Sequence, residues 1–509
     1  MGSIVEMHGI SKAFGTNQAN NNIDFVCERG EVVCLLGENG AGKSTLMKIL
    51  YGMYRPDSGT IKIGGNEVKL SGAQDAIMRG IQMVHQHFML VPTMSVTDNV
   101  MIGKEIKTRG LYNRKKADEQ VKELVRRYGL KVPENKMIGE LSVGEQQRVE
   151  IIKALYHGAE VLILDEPTAV LTHQEVEELF TVVRRLRDNG KTIILITHKL
   201  KETIAISNRV YVMRTGEMVA VRNTVETNIE ELGYLMVGKK VEKVKKTPCV
   251  SEKNILKMKN VTLKNKYGYP VLQNLALDIR EQEILGIAGV EGNGQTELIE
   301  VLMALNTKWE GQVTLDGISI KGENTEKLLE KGVSCIHADR QEYSIAMEMD
   351  VPNNMLIGYQ NAPEFHKGKY ILNWKGIKAE TRKMMEEYDV RPRDIERNLS
   401  EFSGGNQQKF VVAREMRRHP KFMIAAHPTR GVDIMATAFI HDKLNQMKSE
   451  GAAILLISSD MDELMTLSDR IAVIYDGTIA ACRKPEEYTA AEIGRLMGGG
   501  KSNEKKSEN

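Results

Sequence analysis

The chain has 509 residues, of which 41% are hydrophobic and 27% are charged, a balance typical of globular proteins with more than one domain. Its net charge of +2 gives no basic field, so composition does not favour a nucleic-acid partner. The five cysteines include no C-x-x-C pair, so we expect no disulfide or zinc framework and a reducing compartment.

The N-terminal segment predicts a strand over 4–7, and we expect no signal peptide. No apolar run reaches the roughly 18 residues that a membrane-spanning helix needs, so any membrane role would be peripheral. Phe14 follows in the stretch S-K-A-F-G. Its ring is a candidate for stacking on a nucleotide base, and a core phenylalanine is the alternative.

A complete P-loop follows an apolar strand predicted over 32–36. Its glycines allow backbone N–H groups to surround phosphates, and the helix that begins there adds its dipole. Lys43 is expected to contact the β- and γ-phosphates, and the Ser44 hydroxyl to bind Mg²⁺. The residues assigned to nucleotide binding here are Gly37, Glu38, Asn39, Gly40, Ala41, Gly42, Lys43, Ser44 and Thr45.

The rest of this half predicts a helix over about 112–130 and two more apolar strands, at 161–164 and 192–196. Continuous apolar runs of this length are typical of a parallel sheet covered on both faces. Cys34, within the strand at 32–36, is therefore expected to be a core side chain.

Four polar residues after predicted strands are candidates for catalysis. Asp165 suits the shell of Mg²⁺, and Glu166 is a candidate general base for the attacking water. His198 can reach a γ-phosphate, and Gln86 could complete the Mg²⁺ and water site. Alternatively, the two acids are solvated strand ends and His198 is inert.

A second copy of the pattern lies 252 positions later, where G-V-E-G-N-G-Q-T-E at 289–297 has Gln295 in place of the P-loop lysine. Later landmarks are 261 positions apart, so the second copy gains nine residues in between. The spacing predicts two homologous domains, at 1–238 and 253–498. Residues 239–252 are a charged linker, for which a nucleic-acid patch is the alternative, and 499–509 are a disordered tail.

A signature follows each helical region, L-S-V-G-E-Q-Q at 141–147 and F-S-G-G-N-Q-Q at 402–408. With these motifs in this order, the chain resembles the ATP-binding subunits of ABC transporters over roughly residues 4–498. The resemblance implies an α/β fold of two tandem ABC-type P-loop nucleotide-binding domains, each with a RecA-like core, an antiparallel β subdomain and an α-helical subdomain. It also implies ATP and Mg²⁺ as cofactors, and ATP hydrolysis coupled to transmembrane transport.

In this family, ATP binds between the P-loop of one cassette and the signature and D-loop of the other. The resemblance thus implies that Ser403, Gly404, Gly405 and the D-loop Asp433 complete the first site. They match the family pattern, although Asn406 replaces the usual glutamine.

The second site departs from the pattern, which predicts weak binding or retention of nucleotide without turnover. Its signature has Val143 where glycine is expected, and its D-loop has Thr172 rather than aspartate. At the fixed offsets Gln86 corresponds to Ala338, Asp165 to Ala426, Glu166 to His427 and His198 to Ser459.

Fused cassettes with a degenerate second half are typical of bacterial importers of simple sugars and nucleosides. Three stretches, 80–91, 287–295 and 425–433, resemble the nucleoside group. Sugar members more often have arginine at the position of Gln295 and keep carboxylates in the second half. Nucleoside uptake is therefore predicted, with ribose-, galactose- or xylose-type sugar uptake as the alternative.

The resemblance implies a peripheral subunit on the cytoplasmic face of the membrane. Its partners would be two transmembrane permease subunits and, indirectly, an extracytoplasmic binding protein or lipoprotein. It would contact neither cargo nor nucleic acid. The permeases are expected to dock on the segment from Gln86 to about 140 and on about 339–400, and transport would proceed by alternating access.

The sequence disfavours two other classes of ATPase. A soluble tandem ATPase acting on ribosomes would be expected to have two intact sites and a long helical linker. A DNA-repair ATPase would be expected to carry zinc modules and inserted domains.

Overall fold

The computed structural model describes residues 2–500 except 16, 87, 134, 135, 169, 170, 172, 240–247, 249, 250, 369 and 370. The chain divides into two compact units, Met1–Val241 and Glu242–Asn509. Each unit has its own sheets and its own hydrophobic core.

The first unit alternates strands with helices along the chain. Its strands are β1 (Ser3–Phe14), β2 (Asn17–Glu28), β3 (Val32–Gly37), β4 (Ser58–Ile63), β5 (Asn66–Val68), β6 (Ile81–Val84), β7 (Lys107–Thr108), β8 (Leu111–Tyr112), β9 (Val161–Asp165), β10 (Thr192–Thr197), β11 (Arg209–Arg214) and β12 (Glu217–Asn223). Its helices are α1 (Lys43–Leu50), α2 (Ala73–Met78), α3 (Val96–Met101), α4 (Arg114–Tyr128), α5 (Val143–Tyr156), α6 (His173–Asp188), α7 (Leu200–Ile206) and α8 (Ile229–Val237).

The central sheet of this unit has the strand order β12-β11-β3-β10-β9-β6. Strands β11, β3, β10, β9 and β6 run parallel, and β12 is an antiparallel edge. Every residue of β3, β9 and β10 is buried, as expected for strands covered on both faces. Because the carboxyl ends of parallel strands lie at one edge of a sheet, the loops after β3, β6, β9 and β10 converge there.

The rest of the unit forms two further parts. Strands β2-β1-β4-β5 make an antiparallel sheet whose apolar side belongs to the same core as β3. Helices α3, α4 and α5 pack on one another and form the helical part. Helix α4 has a narrow buried stripe of Ala117, Val121 and Tyr128 and is otherwise polar, so it lies on the surface.

The second unit repeats this plan. Its strands are β13 (Asn254–Lys264), β14 (Pro270–Arg280), β15 (Ile284–Ala288), β16 (Trp309–Leu315), β17 (Ile318–Ser319), β18 (Val333–Ile336), β19 (His366–Lys367), β20 (Ile371–Leu372), β21 (Phe422–Ala426), β22 (Ala453–Ile457), β23 (Arg470–Tyr475) and β24 (Thr478–Arg483). Its helices are α9 (Gln295–Leu302), α10 (Thr325–Glu330), α11 (Arg340–Tyr343), α12 (Val351–Met355), α13 (Trp374–Glu387), α14 (Gly404–Met416), α15 (Ile434–Ser449), α16 (Met461–Leu467) and α17 (Ala490–Met497).

The sheets of the second unit have the orders β18-β21-β22-β15-β23-β24 and β14-β13-β16-β17, which match those of the first. One difference follows β18, where the short helix α11 occurs before α12. Among the described residues of the first unit, no helix occurs between β6 and α3. Part of the nine-residue gain read from the sequence is therefore located here.

The predicted α/β fold of two tandem cassettes is confirmed, and so are the strands at 32–36, 161–164 and 192–196. Cys34 is fully buried in β3, as expected. Most of the predicted linker and residues 501–509 of the predicted tail lie outside the described residues. Within the described part of the chain, no helix combines the length and apolarity needed to cross a bilayer.

Candidate nucleotide sites

The first P-loop connects β3 to α1, and its shape depends on glycine. Gly42 precedes the helix with φ 96°, a left-handed conformation that other residues adopt only with strain. A Cβ atom at this position would lie 2.1 Å from the carbonyl oxygen of Ala19. The loop can therefore close tightly, and the N-terminus of α1 points its free N–H groups toward an anion.

Lys43 is the first residue of α1, and its ammonium lies inside the loop. The Nζ atom donates to the carbonyl oxygens of Gly37 at 2.7 Å and Glu38 at 2.8 Å. Burial lowers the pKa of Lys43, and the nearby Glu166 and Asp165 oppose that shift. The positive charge is thus held where phosphate oxygens would approach the loop.

Ser44 and Asp165 lie together at the same edge of the sheet. The Ser44 Oγ atom donates to Oδ1 of Asp165 at 3.2 Å. Burial raises the pKa of Asp165, while the hydrogen bond from Ser44 opposes this. A hydroxyl beside a carboxylate offers the hard oxygen ligands that Mg²⁺ prefers. Among the described residues, no cluster of three or more histidine, cysteine or acidic side chains could hold a metal ion. Ser44 and Asp165 together therefore fit a Mg²⁺ ion that would take its other ligands from phosphate and water.

Glu166 follows β9 in a left-handed conformation, with φ 46°. Its N–H group donates to the carbonyl oxygen of Ile196 at 3.0 Å, which ties this strained turn to β10. Its carboxylate lies between two polar groups, with Oε1 3.1 Å from Nδ1 of His198 and Oε2 accepting from Nε2 of Gln86 at 3.3 Å.

The protonation state of Glu166 follows from these contacts. Burial alone raises the pKa of Glu166, but the hydrogen bond to His198 and the charges of His198 and Lys43 outweigh burial. The pKa therefore lies below its ordinary value. The carboxylate is ionised at neutral pH and can accept a proton.

Phe14 lies at the end of β1 with 44% of its surface exposed. The alternative of a core phenylalanine is thereby excluded. Its ring contacts Tyr54 edge-on at a centroid distance of 5.3 Å, and Nζ of Lys12 lies 5.6 Å from the ring centre. An exposed ring held in this way has a free surface on which a base can stack.

Asn20, which is not among the residues predicted from the sequence, supports the P-loop. This residue is fully buried in β2, and its Nδ2 atom donates to the carbonyl oxygen of Gly42 at 3.1 Å. A sequence signal was available, because a run of three asparagines at 20–22 is unusual inside a predicted strand.

The second P-loop keeps the shape of the first without its charge. Gly294 precedes α9 with φ 109°, close to the value at Gly42. Gln295 occupies the position of the lysine, and its Nε2 atom donates to the carbonyl oxygen of Val290 at 3.1 Å. The side-chain amide thus replaces one of the two hydrogen bonds of Lys43, but it brings no positive charge.

The turn after β21 is folded like the turn after β9 in the first unit. His427 has φ 45°, and its N–H group donates to the carbonyl oxygen of Ile457 at 2.7 Å. Its Nδ1 atom accepts from the N–H of Ser459 at 3.4 Å. Burial lowers the pKa of His427, so the ring is neutral at neutral pH. With Ala426 before it, this strand end offers no carboxylate.

The two signatures differ in how their serines are bound. Ser142 is the N-cap of α5 and accepts from the N–H of Glu145 at 3.2 Å. Ser403 makes no such cap, and its hydroxyl accepts from Nδ2 of Asn406 at 2.9 Å. Asn406, the departure from the family pattern, therefore binds the signature serine directly.

The D-loop aspartate of the second unit makes a local capping contact. Asp433 Oδ1 accepts from the N–H of Ala436 at 2.8 Å and caps α15. Thr172, its predicted counterpart in the first unit, lies outside the described residues.

Comparison with known proteins agrees with this geometry. Residues 20–169 and 272–430 match the family described as ABC transporter. The chain belongs to the ABC transporter family.

Relatives within the family match over nearly the whole chain. The guanosine import ATP-binding protein NupO of Bacillus subtilis is 42% identical and covers 97% of both chains. The nucleoside import ATP-binding protein NupA of Lactococcus lactis is 41% identical and covers 99% of both. The ribose import ATP-binding protein RbsA of Bacillus cereus is 36% identical, over 97% of this chain and 99% of that one.

Membership of the ABC transporter family confirms the resemblance read from the sequence, and with it ATP binding and an ATPase activity. The structure brings Lys43, Gln86, Glu166 and His198 together at one edge of a sheet in the first unit. Their individual roles stay predictions. Gln86 contacts Glu166 rather than Asp165, so its place beside the metal is the least supported of these roles.

Proposed function

We propose that this chain is the ATP-hydrolysing subunit of an importer for nucleosides, with one hydrolytic site built on the first unit. The observation that carries the proposal is the ionised carboxylate of Glu166, which is held between His198 and Gln86 close to the ammonium of Lys43. The corresponding strand end in the second unit has only a neutral histidine. Nucleosides are chosen because the relatives named for guanosine and nucleoside import are 41–42% identical, against 36% for the ribose relative.

In the proposed site, backbone N–H groups of the P-loop and Lys43 bind the β- and γ-phosphates of ATP, and Phe14 stacks on adenine. Ser44 and Asp165 would hold Mg²⁺, with Gln86 as a further ligand, and the ion would neutralise charge on the phosphates. Glu166 accepts a proton from the attacking water, and His198 contacts the γ-phosphate.

We further propose that Ser403, Gly404, Gly405 and Asp433 of the second unit complete this site. The distribution of the substitutions supports this pairing. The second unit has lost the lysine and both carboxylates but keeps both signature glycines, whereas the first keeps its catalytic set and has Val143 in its signature. Random substitutions would not be expected to divide between the two units in this way.

The proposed partners are two permease subunits in the membrane and, through them, an extracytoplasmic substrate-binding protein or lipoprotein. The chain would lie on the cytoplasmic face of the membrane and would not touch the cargo. Binding and hydrolysis of ATP would drive alternating access through the docked permeases.

Uptake of labelled nucleosides and of ribose, galactose and xylose, in cells with and without the chain, tests the proposal. We expect nucleoside uptake to be lost on deletion and restored by the intact chain but not by Lys43→Ala. The matched control is Lys69→Ala, which removes an exposed lysine just after β5, outside the segments expected to contact the permeases. Loss of sugar uptake alone would overturn the cargo assignment and leave the ATPase role, and unchanged uptake of every cargo would overturn the transport role.

A further inference from the structure

The short helix α11 has no counterpart among the described residues of the first unit, and its first residue, Arg340, connects two loops of the second unit. Asp339 caps the helix by accepting from the N–H groups of Gln341 and Glu342, at 3.0 and 3.1 Å. The guanidinium of Arg340 is directed from this capped turn toward the signature helix α14 and the D-loop at 428–433.

Two hydrogen bonds and a close approach to Gly404 define this connection. The Nε atom of Arg340 donates to Oε1 of Gln407 at 3.3 Å, and its Nη1 atom donates to the carbonyl oxygen of Arg430 at 3.2 Å. Its Nη2 atom would lie 2.7 Å from a Cβ atom built on Gly404. The guanidinium therefore fills the space that a side chain at position 404 would need.

Gln407 transmits the contact to the signature loop. Its side chain is 2% exposed, and its Nε2 atom donates to the carbonyl oxygens of Leu399 at 2.9 Å and Phe402 at 3.2 Å. Its Oε1 atom accepts from Nε2 of Gln341 at 3.4 Å as well as from Arg340. One buried amide thus joins α11 to the backbone just before Ser403.

The described part of the first unit lacks this arrangement. Residues 85–95, which follow β6, contain neither arginine nor lysine. Gln146, the counterpart of Gln407, donates to the carbonyl oxygens of Ile138 and Leu141, as Gln407 does to its own loop, but no arginine reaches it among the described residues. Val143 occupies the place of Gly404 there. The arginine therefore occurs in the unit whose signature keeps its glycine.

We propose that Arg340 is a positioning residue for ATP hydrolysis, which holds the signature loop at 402–405 and the D-loop at 428–433 in one fixed arrangement. This inference rests on the proposed function, in which both loops complete the hydrolytic site. Arg340 touches neither nucleotide nor water in this scheme, and it acts through Gln407 and the backbone of Arg430.

The test compares Arg340→Gln, Arg340→Lys and Glu166→Gln in the transporter purified through a tag on this chain. The matched control is Arg280→Gln, which removes an exposed arginine at the end of β14 in the same unit. Displacement of loops by about 1 Å can reduce a rate by about 100-fold. We therefore expect Arg340→Gln to lower kcat by about 10- to 100-fold, while the affinity of a fluorescent ATP analogue stays within about twofold of wild type because the P-loop is untouched. Lysine has one donor group in place of a fork, so Arg340→Lys should recover only part of the rate.

Hydrogen exchange of the full chain without nucleotide supplies a readout of position. Arg340→Gln should speed exchange of amides at 402–408 and 428–433 and leave the other protected amides unchanged. A kcat within about twofold of wild type, or faster exchange throughout the second unit, would overturn the positioning role. If Glu166→Gln also retains wild-type hydrolysis, the proposed function has failed; if Glu166→Gln is inactive while Arg340→Gln is not, only the role of Arg340 has failed.

Discussion

Replacement of Glu166 by Gln should remove nearly all ATP hydrolysis, since the substitution keeps the shape of the side chain and takes away its ability to accept a proton. The amide can still meet His198 and Gln86, at the positions where the carboxylate oxygens lie 3.1 and 3.3 Å from their partners. We therefore expect the fold to be retained and ATP to bind.

The size of the effect depends on how many sites work. Loss of a general base typically lowers a rate by about 10²- to 10⁴-fold. If the first site alone hydrolyses ATP, residual activity should be about 1% or less; two equal sites would leave about half. The second site has His427, Ala426 and Gln295 at the corresponding positions. It therefore has no carboxylate base, no acidic metal ligand and no ammonium, so the lower value is expected.

Steady-state phosphate release by the purified transporter measures this, with nucleotide binding and thermal unfolding followed in parallel. His427→Gln is the matched control, because it makes the equivalent change at the other strand end and should leave most of the activity. Residual hydrolysis near half in Glu166→Gln would refute the assignment of a single hydrolytic site. Equal losses in the two variants would refute it as well.

Three further outcomes follow from the site. In an equilibrium titration, Phe14→Ala should weaken ATP binding by about 5- to 10-fold, which corresponds to about 1 kcal/mol of stacking. Phe14→Trp should bind ATP with an affinity close to that of wild type. Unchanged affinity in Phe14→Ala would contradict the stacking role. Gln295→Lys should restore a positive charge to the second P-loop and increase nucleotide retention. When it is combined with Glu166→Gln it should restore no hydrolysis, because Ala426 and His427 supply no carboxylate. Recovered phosphate release by the double variant would contradict this. Because the pKa of Glu166 is lowered, its carboxylate stays ionised on acidification. Titration of Glu166 should therefore cause no fall in kcat between about pH 8 and about pH 6. A fall in kcat near neutral pH that disappears in Glu166→Asp would contradict this expectation.

The sequence predicted the site well where chemistry follows directly from chain order. Residues after parallel strands must meet at one edge of the sheet, so Asp165, Glu166 and His198 could be grouped without coordinates. The P-loop was equally accessible, because its glycines and lysine occupy fixed spacings.

Contacts between distant side chains were not accessible in the same way. The left-handed turn at Glu166 depends on a hydrogen bond to β10, and the pairing of Gln86 with Glu166 depends on side-chain rotamers. Arg340 lies 67 positions from Gln407, and only the packing of α11 on α14 brings them together. No local pattern encodes such a contact, so this arginine could not be selected from the sequence.

The backbone of the second unit has a consequence for protein engineering. His427 has the left-handed conformation of Glu166, and Gly294 has that of Gly42. The second P-loop and the turn after β21 therefore need no reconstruction. At these two places, what separates the second site, which is predicted not to turn over nucleotide, from the first is the identity of a few side chains, above all Gln295, Ala426 and His427. Activity at this second site could therefore be approached by side-chain substitutions at the P-loop and after β21, where the backbone already has the required shape.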